Sequence, residues 1–149
     1  MNGLCIICRA PQSEEEWAAY YDLRWRVLRQ PWNQPPGSER DSFEDAAVHA
    51  CVFGPDNQVL GVGRLHRLDE NSLQIRYMAV EESHRGKGVG RCILTYLENE
   101  ARRNNIMNIV LNARESSIPF YERCGYTVSG QAHVLFGEIP HAVMEKYLK

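Results

Sequence analysis

The stretch from Leu73 to Arg103 restricts the possible folds of this chain more than any other. Leu73–Val80 reads as a strand, a five-residue link follows, and Arg85-Gly86-Lys87-Gly88-Val89-Gly90 opens a helix. In that helix Val89, Cys92, Ile93, Tyr96, Leu97 and Ala101 recur at i, i+3, i+4, i+7, i+8 and i+12, which predicts an amphipathic element over about 88–103. A strand that turns through glycines into a helix is suited to anions. The first helical turn has N–H groups without acceptors and carries about half a positive charge. Glycines let a phosphate approach the backbone closely, and Arg85, Lys87 and Arg91 add charge beside it. The loop fits neither of the common nucleotide patterns. No Gly precedes at Walker A distance and Val follows Gly88, while Gly86, Gly88 and Gly90 are not spaced as Gly-x-Gly-x-x-Gly.

The rest of the chain supplies one mixed sheet. Leu4–Arg9 reads as a strand. Ser13 with Glu16 marks a capping box, and Trp17, Tyr20, Tyr21, Leu23, Val27 and Leu28 predict a helix from about 14 to 29. Pro31, Pro35, Pro36 and Gly37 then impose a loop to about 45. It carries Trp32, Asn33, Glu39, Asp41, Glu44 and Asp45, which suits either contact with a small polar substrate or a solvated connector. Ala47–Phe53, Val59–Leu68 and Leu73–Val80 form an antiparallel meander around turns at Gly54–Asn57 and Asp69–Ser72. Ile106–Leu111 is a further strand. A short helix begins at Ser116 or Ser117 and ends at Cys124-Gly125, and Tyr126–Ser129 and Val143–Leu148 complete the strands. No repeat or linker interrupts residues 1–149, so a single domain is expected.

Two segments carry a family resemblance. Met78-Ala79-Val80-Glu81-Glu82-Ser83-His84-Arg85-Gly86-Lys87-Gly88-Val89-Gly90-Arg91 resembles the pyrophosphate loop of the GNAT superfamily of N-acetyltransferases, whose pattern is Arg/Gln-x-x-Gly-x-Gly/Ala. About thirty residues on, Pro119-Phe120-Tyr121-Glu122-Arg123-Cys124-Gly125-Tyr126 resembles that family's second hallmark. The element order suits the family along nearly the whole chain. Gly137-Glu138-Ile139-Pro140-His141 with Met144-Glu145-Lys146 is further similar to the small ElaA-like branch.

The resemblance implies an α/β fold with a central, mostly antiparallel twisted sheet that splays between its fourth and fifth strands, and helices on both faces. It implies an acyl-CoA-dependent N-acyltransferase that passes acetyl from acetyl-CoA directly to a primary amine of a small molecule or peptide. The cofactor would lie in the splay, against Met78, Ala79 and Val80, on Arg85, Gly86, Lys87, Gly88, Val89, Gly90 and Arg91. The Val80 N–H would polarise the thioester carbonyl, and Tyr121 would protonate the departing thiolate. Arg114 stands where several relatives carry Asn or Gln and can still reach the cofactor. The glutamate base of some members is replaced here by Gln74, which cannot accept the proton; Glu44, His66 and Glu81 are the alternatives. Two other classes stay open at this point: an acyl-CoA sensor of the same fold, and a phosphate-binding regulatory module.

Composition sets outer bounds. A formal net charge of −2 gives no basic footprint for nucleic acid. No apolar run approaches the ~18 residues of a membrane helix. Five scattered cysteines suit a reducing cytoplasm rather than a disulfide framework. Cys5 and Cys8 have metal-like spacing, but no second pair follows, so no metal is expected. The acidic residues of the 30–45 loop suit a cationic amine, and a homodimer is the assembly to expect if the chain associates.

Overall fold

Ser13 starts helix α1 (Glu14–Leu28) by accepting the Glu16 N–H at 3.1 Å, with Glu14, Glu15 and Glu16 at the positive end of the helix. The expected capping box closes one residue early. The Glu16 carboxylate takes the Gln12 N–H at 2.8 Å and is gripped by Arg9 at 2.8 and 2.9 Å, which ties α1 to strand β1 (Ile7–Arg9). The structure is a computed structural model that describes residues 7–149, so Cys5 and the expected strand start at Leu4 lie outside the described residues.

The meander forms as expected from β2 (Val48–Phe53), β3 (Val59–Arg67) and β4 (Ser72–Val80). Helix α2 (Val89–Arg103), β5 (Asn108–Arg114), α3 (Ile118–Arg123), β6 (Thr127–Leu135) and β7 (Ile139–Tyr147) follow. The strands lie in the order β1-β2-β3-β4-β5-β7-β6. Among the described residues only the β4/β5 pair is parallel. A parallel pair needs a crossover, and α2 supplies it.

Strand alternation divides the core between two faces. Ala50 and Val52 point with Leu60, Ile75 and Leu111 toward Val89, Ile93 and Leu97 of α2. Cys51 and Phe53 point the other way, with Val62 and Ala79, toward Tyr20 and Leu23 of α1. The α/β mixed sheet with helices on both faces is therefore the fold that the sequence led us to expect.

The last strands are longer than their sequence signal. β6 is an edge strand, exposed along most of its length and bulged between Val128 and Gly130 and again between Gln131 and Val134, so apolar alternation is lost beyond Ser129. β5 begins at Asn108 rather than Ile106. Ile106 instead closes the end of α2, its N–H bonding Ala101 O at 3.2 Å behind a left-handed Asn105. A buried cluster then fixes α3 against the sheet. The Tyr126 hydroxyl donates to Glu98 at 2.8 Å, and Lys146 Nζ donates to Glu98 at 3.1 Å and to Cys124 O at 2.9 Å.

Candidate active site

β4 and β5 separate partway along their length. Their pairing runs from Ser72 opposite Asn108 to Ile75 opposite Leu111 and stops there, although β4 continues to Val80 and β5 to Arg114. The cause is a bulge: Val62 faces Ala79 and Arg64 faces Arg76, so Tyr77 and Met78 together oppose Gly63. Tyr77 takes the left-handed conformation with φ 59°, and the strand bends away from β5. Gly63 is required here, because a Cβ would stand 2.6 Å from Ile93 Cγ2 and 3.0 Å from Met78 Sδ.

Past the bulge the backbone of β4 turns polar groups away from β3. The Glu81 N–H bonds Leu60 O at 2.8 Å, so on antiparallel alternation the next pair, Val80 and Gly61, is not hydrogen-bonded. Val80 thus turns its N–H and C=O away from β3 into the gap, and the same alternation directs Met78 there. Arg85 Nε reaches Val80 O at 3.3 Å across that gap.

The gap opens into a cavity of about 840 Å³ bordered by Met78, Ala79, Val80, Arg85, Gly86 and Gly88, with Val89, Gly90, Arg91, Arg114 and Tyr121 also on its walls. All the residues that the resemblance assigned to the cofactor are brought together here except Lys87, whose side chain is exposed. Gly86 and Gly88 have φ 77° and 87°. Gly88 caps α2 with no side-chain acceptor, and the first helical bond, Cys92 N–H to Gly88 O at 3.0 Å, leaves the Val89, Gly90 and Arg91 amides without helical partners. Gly90 has a different reason to be glycine: a Cβ there would lie 2.9 Å from the Phe120 ring, so helix α3 can press against the loop.

Tyr121 is buried against Phe120 and Tyr126, with ring centroids at 5.1 and 6.0 Å. No hydrogen bond to its hydroxyl is found among the described residues, and its side chain borders the cavity. Burial, with a smaller contribution from Cys124, pushes its phenol well above the ordinary range and keeps it protonated at neutral pH.

The three carboxylate and histidine alternatives for the base lie outside the cavity wall. Glu44 bridges two buried guanidiniums, Arg24 at 3.0 Å and Arg64 at 2.6 Å. Burial alone would raise its carboxyl, but Arg24 and then Arg64 hold it below the usual value. Glu81 is paired with Arg26 at 3.0 Å, and that hydrogen bonding lowers its carboxyl. His66 is buried, stacked on Phe43 at 4.6 Å, with Nδ1 3.1 Å from Arg64; burial and that charge hold its pKa down. Asp41 and Glu39 of the acidic loop are likewise committed, while Asp45 is exposed. Asp41 binds Arg64 at 2.6 Å and Arg76 at 3.0 Å, and the buried Glu39 carboxylate takes the Gly37 N–H at 2.7 Å.

Sequence reasoning missed the histidines of the cavity. His133 and His141 stack with centroids 5.6 Å apart and both face it. His141 Nδ1 lies 2.9 Å from Ile139 O. A carbonyl can only accept, so Nδ1 carries the proton and Nε2 keeps its lone pair. Burial lowers the pKa of His141, the Ile139 carbonyl partly restores it, and His133 and Arg114 lower it again. The signal was present as His141 in the Gly-Glu-Ile-Pro-His run, but only the register that sets Arg114 opposite His141 brings it to the site.

A second hollow, of about 790 Å³, lies by Trp17, Tyr21 and His49. It holds neither the glycine loop nor any free backbone edge of β4, so the chemistry belongs to the first.

Comparison with known proteins agrees with this geometry. The sequence model of the Acetyltransferase (GNAT) family matches residues 17–126. A Bacillus subtilis (strain 168) protein described as an uncharacterized N-acetyltransferase, YjcF, is 31% identical over 135 residues, covering 91% of this chain and 95% of that one. Among solved structures, an aminoglycoside 6'-N-acetyltransferase complexed with coenzyme A superposes with a TM-score of 0.79 at 17% identity, over 97% of each chain. Escherichia coli ElaA superposes with a TM-score of 0.77 at 19% identity, over 96% of this chain and 99% of that one. At these identities the two structures are matches of fold.

Proposed function

This chain belongs to the GNAT family of acetyltransferases, and from that premise we propose that it transfers an acetyl group from acetyl-CoA to a primary amine by direct attack. The observation that carries the proposal is the unpaired end of β4 running into the glycine-capped start of α2, with Tyr121 beside both. The cofactor pyrophosphate sits on the Gly86–Arg91 amides, with Arg85 and Arg91 as counter-charges. The pantetheine arm adds to β4 as a short strand through the main chain of Met78 and Val80, beside Ala79. The Val80 N–H donates to the thioester oxygen as the tetrahedral intermediate forms.

Two proton movements complete the reaction. Tyr121, buried and protonated, delivers its proton to the leaving thiolate. On the other side, the Nε2 lone pair of His141 takes the proton of the attacking amine, directly or through one water. His141 is preferred to Glu44, His66 and Glu81 because it borders the cavity and each of those is held by a partner outside it. One domain over residues 1–149 is sufficient for this chemistry. The four cysteines among the described residues are all unpaired, which supports a cytoplasmic setting. No helix of the described residues is long and apolar enough to cross a membrane.

The test is release of free CoA thiol from acetyl-CoA in the presence of an amine panel. Amine-dependent release that falls sharply in Tyr121→Phe supports the proposal. Binding of acetyl-CoA with no release for any amine would leave a cofactor sensor in its place.

A further inference from the structure

The walls of the cavity are cationic without relief. Six arginines and three histidines border it, and none of its residues is Asp or Glu. Most of that charge is accounted for. Arg85 and Arg91 belong to the glycine loop, Arg123 at the end of α3 is exposed to solvent, and Arg76 pairs at 3.0 Å with Asp41, which it shares with Arg64. Arg29 and Arg114 remain. Among the described residues neither has a carboxylate within ion-pair distance. Elsewhere the protein matches its buried guanidiniums: Arg24 and Arg64 both bind Glu44, and Arg64 also binds Asp41.

Arg29 is 93% buried, being only 7% exposed, and its donors reach no acid, only the main-chain carbonyls of Ser38 at 3.0 Å and Leu28 at 2.9 Å. Arg114 makes no hydrogen bond to the described residues. Both are held flat. Arg114 lies 4.6 Å over Trp32, and Arg29 lies 5.4 Å from each of Tyr77 and Phe136. A guanidinium stacked on its face keeps its N–H edge free for a bidentate partner. Burial disfavours the charge of both groups; Arg76 and Arg24 add to that at Arg29, and Arg85 and then Arg29 add to it at Arg114. A cation taken out of water without a carboxylate, as Arg29 is almost fully and Arg114 in part, costs stability that an incoming anion returns.

We infer that Arg29 and Arg114, stacked on Trp32, Tyr77 and Phe136, form a subsite for an anionic group carried by the acceptor amine itself, a carboxylate or a phosphate. The inference rests on the transferase reading of the same cavity. It moves Arg114 from the cofactor contact implied by the resemblance to the acceptor, and it replaces the cationic acceptor suggested by the acidic 30–45 loop, because the Asp41 and Glu44 carboxylates of that loop are already bound to Arg64. His141 stands across from Arg114 in the β5/β7 register, so an amine anchored at Arg114 presents its nitrogen beside the proposed base.

The experiment pairs amines that differ only in charge: α-amino acids against their carboxamides, and phosphoethanolamine against ethanolamine. Binding of acetyl-CoA is measured first by calorimetry; its absence overturns the transferase reading, and this inference falls with it. With acetyl-CoA bound, the anionic member of a pair should show kcat/KM higher by at least about tenfold, the worth of a charge-assisted hydrogen bond. Arg29→Gln and Arg114→Gln should abolish that preference by raising acceptor KM while leaving acetyl-CoA affinity unchanged. Arg114→Lys, which retains the charge, should restore part of it, and circular dichroism should report an unchanged fold for all three. Three results overturn the inference: carboxamides or ethanolamine preferred, a preference untouched by the variants, or variants that weaken acetyl-CoA instead. The last would assign the anion to the cofactor's phosphates.

Discussion

The Arg114 guanidinium carbon lies 4.6 Å above the Trp32 ring, and that aromatic face is its only identified partner among the described residues. The contact links the end of β5 to the turn after α1. It also separates a functional charge from a structural one. Replacing a half-buried, unpaired cation by a neutral amide removes a desolvation penalty and no ion pair. Arg114→Gln should therefore leave the unfolding midpoint unchanged or raise it. Denaturant titration checks this, and a loss of stability would mean that Arg114 is a structural residue.

Glu44 should behave in the opposite way. It accepts from Arg24 at 3.0 Å and Arg64 at 2.6 Å, and both guanidinium side chains are fully buried. Glu44→Ala strands the Arg24 charge, while Arg64 keeps Asp41 at 2.6 Å, and should destabilise the fold by about 3–5 kcal/mol. Urea unfolding gives the value directly. A loss of activity without that loss of stability would restore Glu44 as a candidate base.

Asp41 adds an acid-sensitive contribution to the same network. Burial favours its neutral form, but hydrogen bonds from Arg64 and the Phe43 N–H prevail and lower its pKa to about 2. An aspartate in the unfolded chain titrates near ~3.9. The Asp41 contribution is thus complete above that value and disappears as the pH falls toward 2. Stability measured from pH 6 downward should drop more steeply in the natural protein than in Asp41→Asn.

Tyr121 and His141 predict opposite ends of the pH profile. Tyr121→Phe removes a hydroxyl with no hydrogen bond to the described residues, so stability should change by less than about 0.5 kcal/mol. Its kcat should fall by on the order of 10²-fold or more if the phenol is the acid. His141 acts as a base only when neutral, so kcat/KM should fall on the acid side, with an apparent pKa below ordinary histidine. His141→Gln should flatten that limb. Arg114→Gln removes one of the charges that lower it, so the limb should move to higher pH; a limb that stays in place would remove His141 from the role.

The sequence made half of the site legible. The glycine loop and α2 were readable because a 3.6-residue period and a cluster of glycines are local signals, and Tyr121 came with the second motif. The splay was visible only through the family resemblance. Its cause, a bulge with a left-handed Tyr77, has no local signature, since tyrosine is a poor residue for that conformation. Arg29, at the end of α1, and His141, on an outer strand, carry no periodic signal. Their joint position follows from the placement of β7 between β5 and β6, a long-range pairing that spacing along the chain does not encode. The 30–45 loop shows the reverse case. Its acidic residues looked available for a substrate, and packing commits Asp41 and Glu44 to Arg64.

The most direct measurement is calorimetric titration of acetyl-CoA into the protein and into Gly88→Asp. Gly88 sits at φ 87° with open space around its Cβ position, and aspartate is one of the few residues that visit the left-handed region, at a cost in stability. The variant sets a carboxylate where the pyrophosphate belongs, and circular dichroism checks that α2 persists. The account predicts micromolar binding to the natural protein and none to the variant at a temperature where both are folded. Equal binding to both, or binding to neither, would contradict it.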